Sequence, residues 1–369
     1  MKNKISHLKL LSRCLHCRLC PTALQQTRSA SSKPYFVTTP IFYVNAAPHI
    51  GHLYSCLLAD ASTRWRSVKG ETTFFATGTD ENGLKIQQAA AFANLDPQIF
   101  CDTISHKFQS TFDTAGIQYA RFIRTTDPAH RDAVHHFWAK LVDRGHIYQG
   151  SYRGWYSVSD EAFLSQDDIE DKTLPDGSMI KVSKDSKHPV SWTEEKNYMF
   201  RLSNFQQDLL YWLNSAPIHP IQYEQIVRHD IQNLQDLSVT RDRNRLSWGI
   251  PVPGDDSQTI YVWLDALVNY LTVTNFPNTG WGPWPPDHQI IGKDILRFHA
   301  VYWPAFLIAA GLEPPKKLIV HSHWMVENVK MSKSLGNVVD PVEKMSVFGV
   351  DGFRYFLLNE GSLDSDGCK

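Results

Sequence analysis

His49 and His52 stand three residues apart at the start of a stretch with helical periodicity, with Gly51 between them. That spacing brings both imidazoles near one face of a helix, over an N-terminus whose unpaired amides attract anions. Gly51 leaves backbone room for a nucleotide to lie close, and an imidazole can donate to a phosphate oxygen. A pair of helix-capping histidines is the other reading of the same spacing. Far along the chain, Lys330, Ser332, Lys333 and Ser334, followed by Gly336 and Asn337, make a compact loop of cations and hydroxyls. Lysine in such a loop acts as a point charge that can neutralise a departing pyrophosphate. By itself the loop reads equally as a solvated basic turn. Together the two segments suit a site that holds the phosphates of ATP from two sides of a split nucleotide-binding domain, which points to nucleotidyl transfer. Gly-x4-Gly-Lys-Ser/Thr and Gly-x-Gly-x-x-Gly are both missing, which disfavours a P-loop or an ordinary dinucleotide site.

The elements that must position these residues are legible as alternating strand and helix patterns. Residues 35–40 are a β-rich run ending in Pro40, and a turn through Asn45 and Pro48 leads to a helical segment from His49 to Val68. Residues 72–77 read as a buried strand and 78–83 as a loop at its carboxyl end, where ligands collect in open parallel sheets. Helical patterns cover 83–94, 97–115 and 129–144, the last introduced by Asp127 as N-cap and Pro128 in the first turn. From about residue 145 to 190 short aromatic strands and polar loops suggest an inserted β-rich subdomain. Helical periodicity returns at 196–215, and alternation resumes from Ile260 to Leu312. Residues 289–294 read as strand then loop, Ile295 to Ala310 as a helix and 317–321 as a strand before the lysine loop. The expected architecture is α/β, a Rossmann-like parallel sheet split by the insertion.

Charge and composition narrow the function classes. The 369 residues are 42% apolar, enough for a large core. All 38 acidic side chains lie at Asp60 or later, whereas residues 1–33 contain seven Lys or Arg. A basic, acid-free leader with spaced leucines and a Ser/Thr/Ala-rich end has the composition of an organelle transit peptide, and Arg13, His16 and Arg18 interrupt any secretory apolar core. The remaining body is mildly acidic, so an overall basic footprint for nucleic acid is absent and RNA contact would rest on a local patch. No membrane-spanning run is present. Cys14, Cys17 and Cys20 lie inside the leader without a fourth ligand cluster, and Cys56, Cys101 and Cys368 are scattered. That usage fits a reducing compartment and neither zinc nor a disulfide framework.

The motifs carry a resemblance. The chain resembles the class I aminoacyl-tRNA synthetases, with His49 to His52 matching the HIGH signature and Lys330 to Ser334 the KMSKS signature letter for letter. Residues 39–45, 78–81, 261–266 and 292–295 are similar to the methionyl-tRNA synthetases, mitochondrial type above all. The similarity runs from about residue 35 to the C-terminus. It implies activation of L-methionine by ATP, with Mg²⁺ on the phosphates, and transfer to the acceptor end of methionine tRNA in the mitochondrial matrix. Residue by residue it places His49, Gly51, His52, Lys330, Ser332 and Lys333 at the phosphates and Gly292 and Asp294 at the adenosine. Around the methionine side chain it places Ile41, Tyr43, Trp263, Ala266, Leu267, Tyr270, Ile295, His299 and Trp303. Asp80 would receive the ammonium group and Arg241 would lie near the active site. By side-chain type alone, Trp263, Tyr270 and Trp303 read as core.

The implied organisation is a transit peptide over 1–33, catalytic halves at 34–144 and 196–325, a connective insertion at 145–195, and the lysine loop with the start of a stem-contact region at 326–369. Residues 102–367 contain no cysteine, so no thiolate zinc site is expected in the insertion, and no other metal site is expected. Asp160 and Glu161 read as surface, and the pairs His321/His323 and His135/His136 as structural or solvent-facing. The family continues past residues 350–358 into a helical anticodon-binding domain that this sequence lacks, so tRNA charging is expected to be impaired. The contrasting expectation is a truncated, idle fragment that binds a nucleotide or a partner. No oligomeric state follows from the sequence, a monomer being the simplest.

Overall fold

The computed structural model describes residues 33–368, apart from 158–161, 165, 175, 185, 216–217, 279, 281, 327–328 and 332–336. The expected leader lies outside the described residues except for Lys33. Pro34–Lys369 is one compact unit.

Strand β1 (Tyr35–Tyr43) leads into helix α1 (Ile50–Val68), followed by β2 (Thr73–Asp80), α2 (Leu84–Phe92), α3 (Pro97–Thr114), β3 (Arg121–Arg124) and α4 (Pro128–Asp143). The insertion is built from β4 (Ile147–Ser157), β5 (Ala162–Leu164), β6 (Ile169–Thr173), β7 (Met179–Ser183) and β8 (Val190–Phe200). Then come α5 (Gln206–Ser215), α6 (Gln222–Gln232), β9 (Leu237–Ser238), β10 (Thr240–Asp242), β11 (Pro251–Val252), β12 (Asp255–Ile260) and α7 (Val262–Thr272). The last part holds β13 (His288–Gly292), α8 (Trp303–Ala309), β14 (Leu318–His321), β15 (Trp324–Val326), β16 (Val329–Lys330), α9 (Pro341–Phe348), α10 (Val350–Glu360) and β17 (Gly367–Cys368).

The central sheet runs β14-β13-β1-β2-β3, with every neighbouring pair parallel. β1 is buried along almost its whole length, as a parallel strand covered on both faces must be. The strand order reverses between β1 and β13, so their carboxyl ends, at Tyr43 and Gly292, flank a topological switch point. One core cluster packs α1, α3 and α10 residues against the first half of the sheet, and another fills the space between α4, α7, α8 and the second half. Asp60, fully buried on α1, accepts from Arg354 of α10 at 2.5 Å, from Arg64 at 2.8 Å and from the Gln118 amide at 2.9 Å. Two guanidiniums and an amide thus satisfy a carboxylate that would be costly to bury alone. Among the described residues no helix is long and apolar enough to cross a membrane.

Three local expectations need correction and two are refined. β1 continues through Pro40 because a bulge between Thr38 and Ile41 removes the need for a proline amide in the ladder. β2 extends through Gly78, Thr79 and Asp80, residues expected to form a loop. β1 pairs with all three and β3 with Gly78 and Thr79, and Gly78 permits it: a Cβ would sit 2.0 Å from the Ile123 carbonyl oxygen. Residues 196–200 are strand, not helix, since they complete the antiparallel pairing of β8 with Ile147–Ser151. Asp127 is the N-cap of α4 and Pro128 its first residue, as expected, with the Asp127 carboxylate accepting from the Arg124 amide at 3.3 Å and not from the helix's own amides. The helix expected over 295–310 is present as one continuous helical run, entered through a 3₁₀ turn at Lys293–Ile295 and widened by a π-turn at Phe298–Tyr302 before α8.

Candidate active site

A cavity of about 350 Å³ opens at the switch point, where it touches the carboxyl ends of β1, β2, β13 and β14. That size is ordinary for a small-molecule site. At one end, His49 is the N-cap of α1 and forms a reciprocal box: its Nδ1 accepts from the Gly51 amide at 3.1 Å, and its own amide donates to His52 Nδ1 at 3.1 Å. The rings stack with centroids 3.7 Å apart. The capping and anion-binding readings of this pair are therefore compatible. With each Nδ1 accepting from backbone, a neutral ring carries its proton on Nε2, and that nitrogen remains a donor. Gly51 is needed because a Cβ would lie 2.9 Å from the His49 ring.

The opposite end is apolar and aromatic. Ile41, Tyr43, Trp263, Ala266, Leu267, Tyr270, Ile295 and His299 all line it. The π-turn carries His299 inward, where it is 2% exposed. Its Nδ1 donates to the Ile295 carbonyl at 2.9 Å, leaving Nε2 to accept from the Tyr270 hydroxyl at 2.7 Å. Burial pushes this imidazole down to about 4, only partly opposed by the Ile295 carbonyl and Asp294. Burial also drives the Tyr270 hydroxyl well above its ordinary value. The result is an uncharged polar pair inside an aromatic wall, an environment that favours a polarisable thioether over a charged group.

Asp80 closes β2 and lines the same cavity. The turn after it is held rigidly. Glu81 is fully buried and takes Arg124 on both oxygens, at 2.7 and 2.9 Å, together with hydroxyls of Thr79 and Thr126. Asn82 donates to Asp265 at 2.8 Å, and Asp265 lies 2.8 Å from His130. Gly292 and Asp294 line the cavity beside His321, Ser322 and His323, with His323 Nε2 3.2 Å from Asp294 Oδ1. His321 joins the second half of the sheet to α1 through a 2.7 Å contact with Ser55 Oγ, and burial lowers its pKa.

Some sequence-predicted residues fall elsewhere. Trp303 does not line the cavity; it is fully buried behind Tyr270, with ring centroids 6.0 Å apart, and belongs to the supporting core. Arg241 does not line it either. β10 carries Arg241 into the core, where its guanidinium donates to the Thr240 carbonyl at 2.7 Å and lies 4.3 Å from the Tyr261 ring. Lys330 pairs with Met325 in the β15–β16 ladder, while Ser332 and Lys333 lie outside the described residues, as do Asp160 and Glu161. Sequence reasoning missed Lys85, Asn269 and Met331 in the lining and set aside His321 and His323 as structural or solvent-facing. The position of those histidines at and just after the carboxyl end of a parallel strand was the available signal.

A family model described as tRNA synthetases class I (M) matches residues 35–368. The chain belongs to that family. Its α/β sheet is the class I synthetase sheet. Among curated relatives, it is 54% identical over 353 residues to the mitochondrial methionine–tRNA ligase of Xenopus laevis, covering 95% of this chain and 63% of that protein. The corresponding human protein is 57% identical over 336 residues, covering 89% of this chain and 56% of its own length. Mycobacterium tuberculosis methionyl-tRNA synthetase in complex with methionyl-adenylate superposes with a TM-score of 0.87 at 42% identity, covering 92% of this chain and 66% of that one. The chain thus spans about three fifths of the length of the curated relatives it matches.

Proposed function

We propose that this chain activates L-methionine with ATP and passes the methionyl group to the acceptor end of methionine tRNA, in the mitochondrial matrix. The observation that carries the reading is a single cavity joining an uncharged aromatic wall to an anion-attracting helix N-terminus at the switch point of a class I synthetase sheet. In the first step a carboxylate oxygen of methionine attacks the α-phosphorus of ATP, and the bond to pyrophosphate breaks. In the second, a ribose hydroxyl of the terminal tRNA adenosine attacks the activated carbonyl and AMP leaves. Neither step needs a covalent enzyme intermediate or a general base; positioning and charge neutralisation carry the rate.

On this reading Asp80 holds the substrate ammonium, and Ile41, Tyr43, Trp263, Ala266, Leu267, Tyr270, Ile295 and His299 enclose the thioether. His49 and His52 donate from Nε2 to phosphate oxygens. Gly292 and Asp294 receive the adenosine, Asp294 near its ribose, and Lys330, Ser332 and Lys333 take the pyrophosphate. The imidazoles and backbone groups at the phosphate end suit Mg²⁺ only when phosphate oxygens supply most of its ligands, so the ion belongs here as the companion of ATP. When bound it would neutralise charge on the leaving group. Residues 34–144 and 196–325 serve as catalytic halves, 145–195 as the connective insertion, 326–369 as the signature loop and stem contact, and 1–33 as an import leader. The mitochondrial names of the relatives support the compartment, and the adenylate complex of the mycobacterial relative supports the chemistry.

Methionine-dependent exchange of pyrophosphate into ATP by the purified chain tests the first step, and acylation of methionine tRNA the second. Exchange supported better by leucine or isoleucine than by methionine would overturn the pocket assignment. A folded chain that gives no exchange with any of the three would overturn the reading altogether.

A further inference from the structure

The segment after α10 returns to residues that flank the cavity. β17 runs parallel to β15, with Gly367 opposite Trp324, and Ser322 Oγ donates to the Leu363 carbonyl at 3.3 Å. Asp366 sits just before that strand. Its Oδ1 accepts from the His323 amide at 3.0 Å and from Lys293 Nζ at 2.6 Å, and its Oδ2 accepts from the same ammonium at 2.8 Å. Lys293 lies between Gly292 and Asp294, and His323 Nε2 lies 3.2 Å from Asp294 Oδ1. One carboxylate therefore ties together the turn after β13 and the segment after β14, which form two sides of the same cavity corner.

On the reading of this cavity as an ATP site, we propose that Asp366 is a positioning residue for ATP, holding Lys293 and Asp294 against Ser322 and His323 just beyond the point where the β13–β14 ladder ends at Gly292 and His321. The ion pair is about one-third exposed on each side, 31% for Lys293 and 35% for Asp366, and such pairs contribute little to global stability. Its effect is on geometry: two loops already clamped need less ordering when the nucleotide binds. Burial alone would raise the Asp366 carboxyl, but the Lys293 and His323 hydrogen bonds outweigh it and hold the group below the ordinary carboxylate range, as a charged clamp requires. Asp366 touches none of the aromatic wall, so methionine should not sense its loss.

Equilibrium titration of the full chain with ATP and, separately, with methionine tests this, alongside the KM and kcat of pyrophosphate exchange. Asp366→Ala should weaken ATP about tenfold and leave methionine affinity within about twofold. Asp366→Asn retains an acceptor for the His323 amide and should fall between. Lys293→Ala should reproduce most of the ATP defect, and the double variant should be no worse than Asp366→Ala, because both remove one contact. Unchanged ATP affinity in Asp366→Ala, equal weakening of both ligands, or full additivity in the double variant overturns the proposal. If Asp366→Ala does not fold, Lys293→Ala reads the same contact. Wild-type chain that binds ATP without exchange would instead overturn the catalytic reading and leave the positioning role measurable.

Discussion

Acid should weaken this fold through His299. The ring is 2% exposed, its Nδ1 donates to a carbonyl and its Nε2 accepts from Tyr270, so there is no place for a second proton. Its folded value, about 4, lies below the ordinary 6.5. Between those values the unfolded chain takes up a proton that the folded chain refuses, so stability falls as the pH drops from about 6.5 towards 4, and the loss is complete below the folded value. At about 1.4 kcal/mol per pH unit the full shift corresponds to roughly 3 kcal/mol, of which roughly 2 kcal/mol is expressed by about pH 5. Urea denaturation of wild type and His299→Gln at about pH 7 and about pH 5 isolates this contribution: the wild type should lose roughly 2 kcal/mol more than the variant. Parallel pH dependence in the two proteins would refute the argument. So would an NMR titration in which the His299 ring signal moves with a midpoint near its ordinary value.

His49→Asn should separate the two duties of that residue. The amide side chain still caps α1, keeping stability within about 1 kcal/mol of wild type, while loss of the Nε2 donor should lower pyrophosphate exchange by roughly 10²-fold; a variant with full exchange would contradict the phosphate assignment. Arg124→Ala leaves the buried Glu81 carboxylate without its bidentate partner and should lower stability by roughly 3 kcal/mol, read by urea denaturation. Gly78→Ala forces a Cβ against the Ile123 backbone and should cost roughly 3 kcal/mol or reduce soluble yield, since a paired strand cannot move aside. Wild-type stability in that variant would mean β2 and β3 are not paired at this register.

Much of the site was legible because its residues sit in short contiguous runs. His49 to His52 announced a helix N-terminus, and Gly292 to Ile295 a strand end. The tandem of strand and helix periodicities was enough for a parallel α/β sheet. Where the reading failed, a non-local partner had decided the outcome. Gly78 to Asp80 have a loop composition, yet β1 recruits all three into the ladder and β3 pairs with the first two. Residues 196–200 are compatible with a helix until Ile147–Ser151 pair with them. Trp303 and Tyr270 are alike in type, but only Tyr270 reaches the cavity, the tryptophan being packed behind it.

The amino-acid sequence by itself determined the family, the two signature segments, the order of the main elements and the capping chemistry that sets the start of α1. These depend on contacts within a few residues, which spacing and side-chain type encode directly. The tertiary structure alone decided that β13 lies beside β1, with Val37 opposite His288, and so which strand ends share a cavity. It also turned Arg241 into the core, brought His321 against Ser55 and set Asp366 across Lys293 and His323. Each of these joins segments whose proximity follows from sheet order, and helix or strand periodicity records which face of an element is buried without recording what covers it.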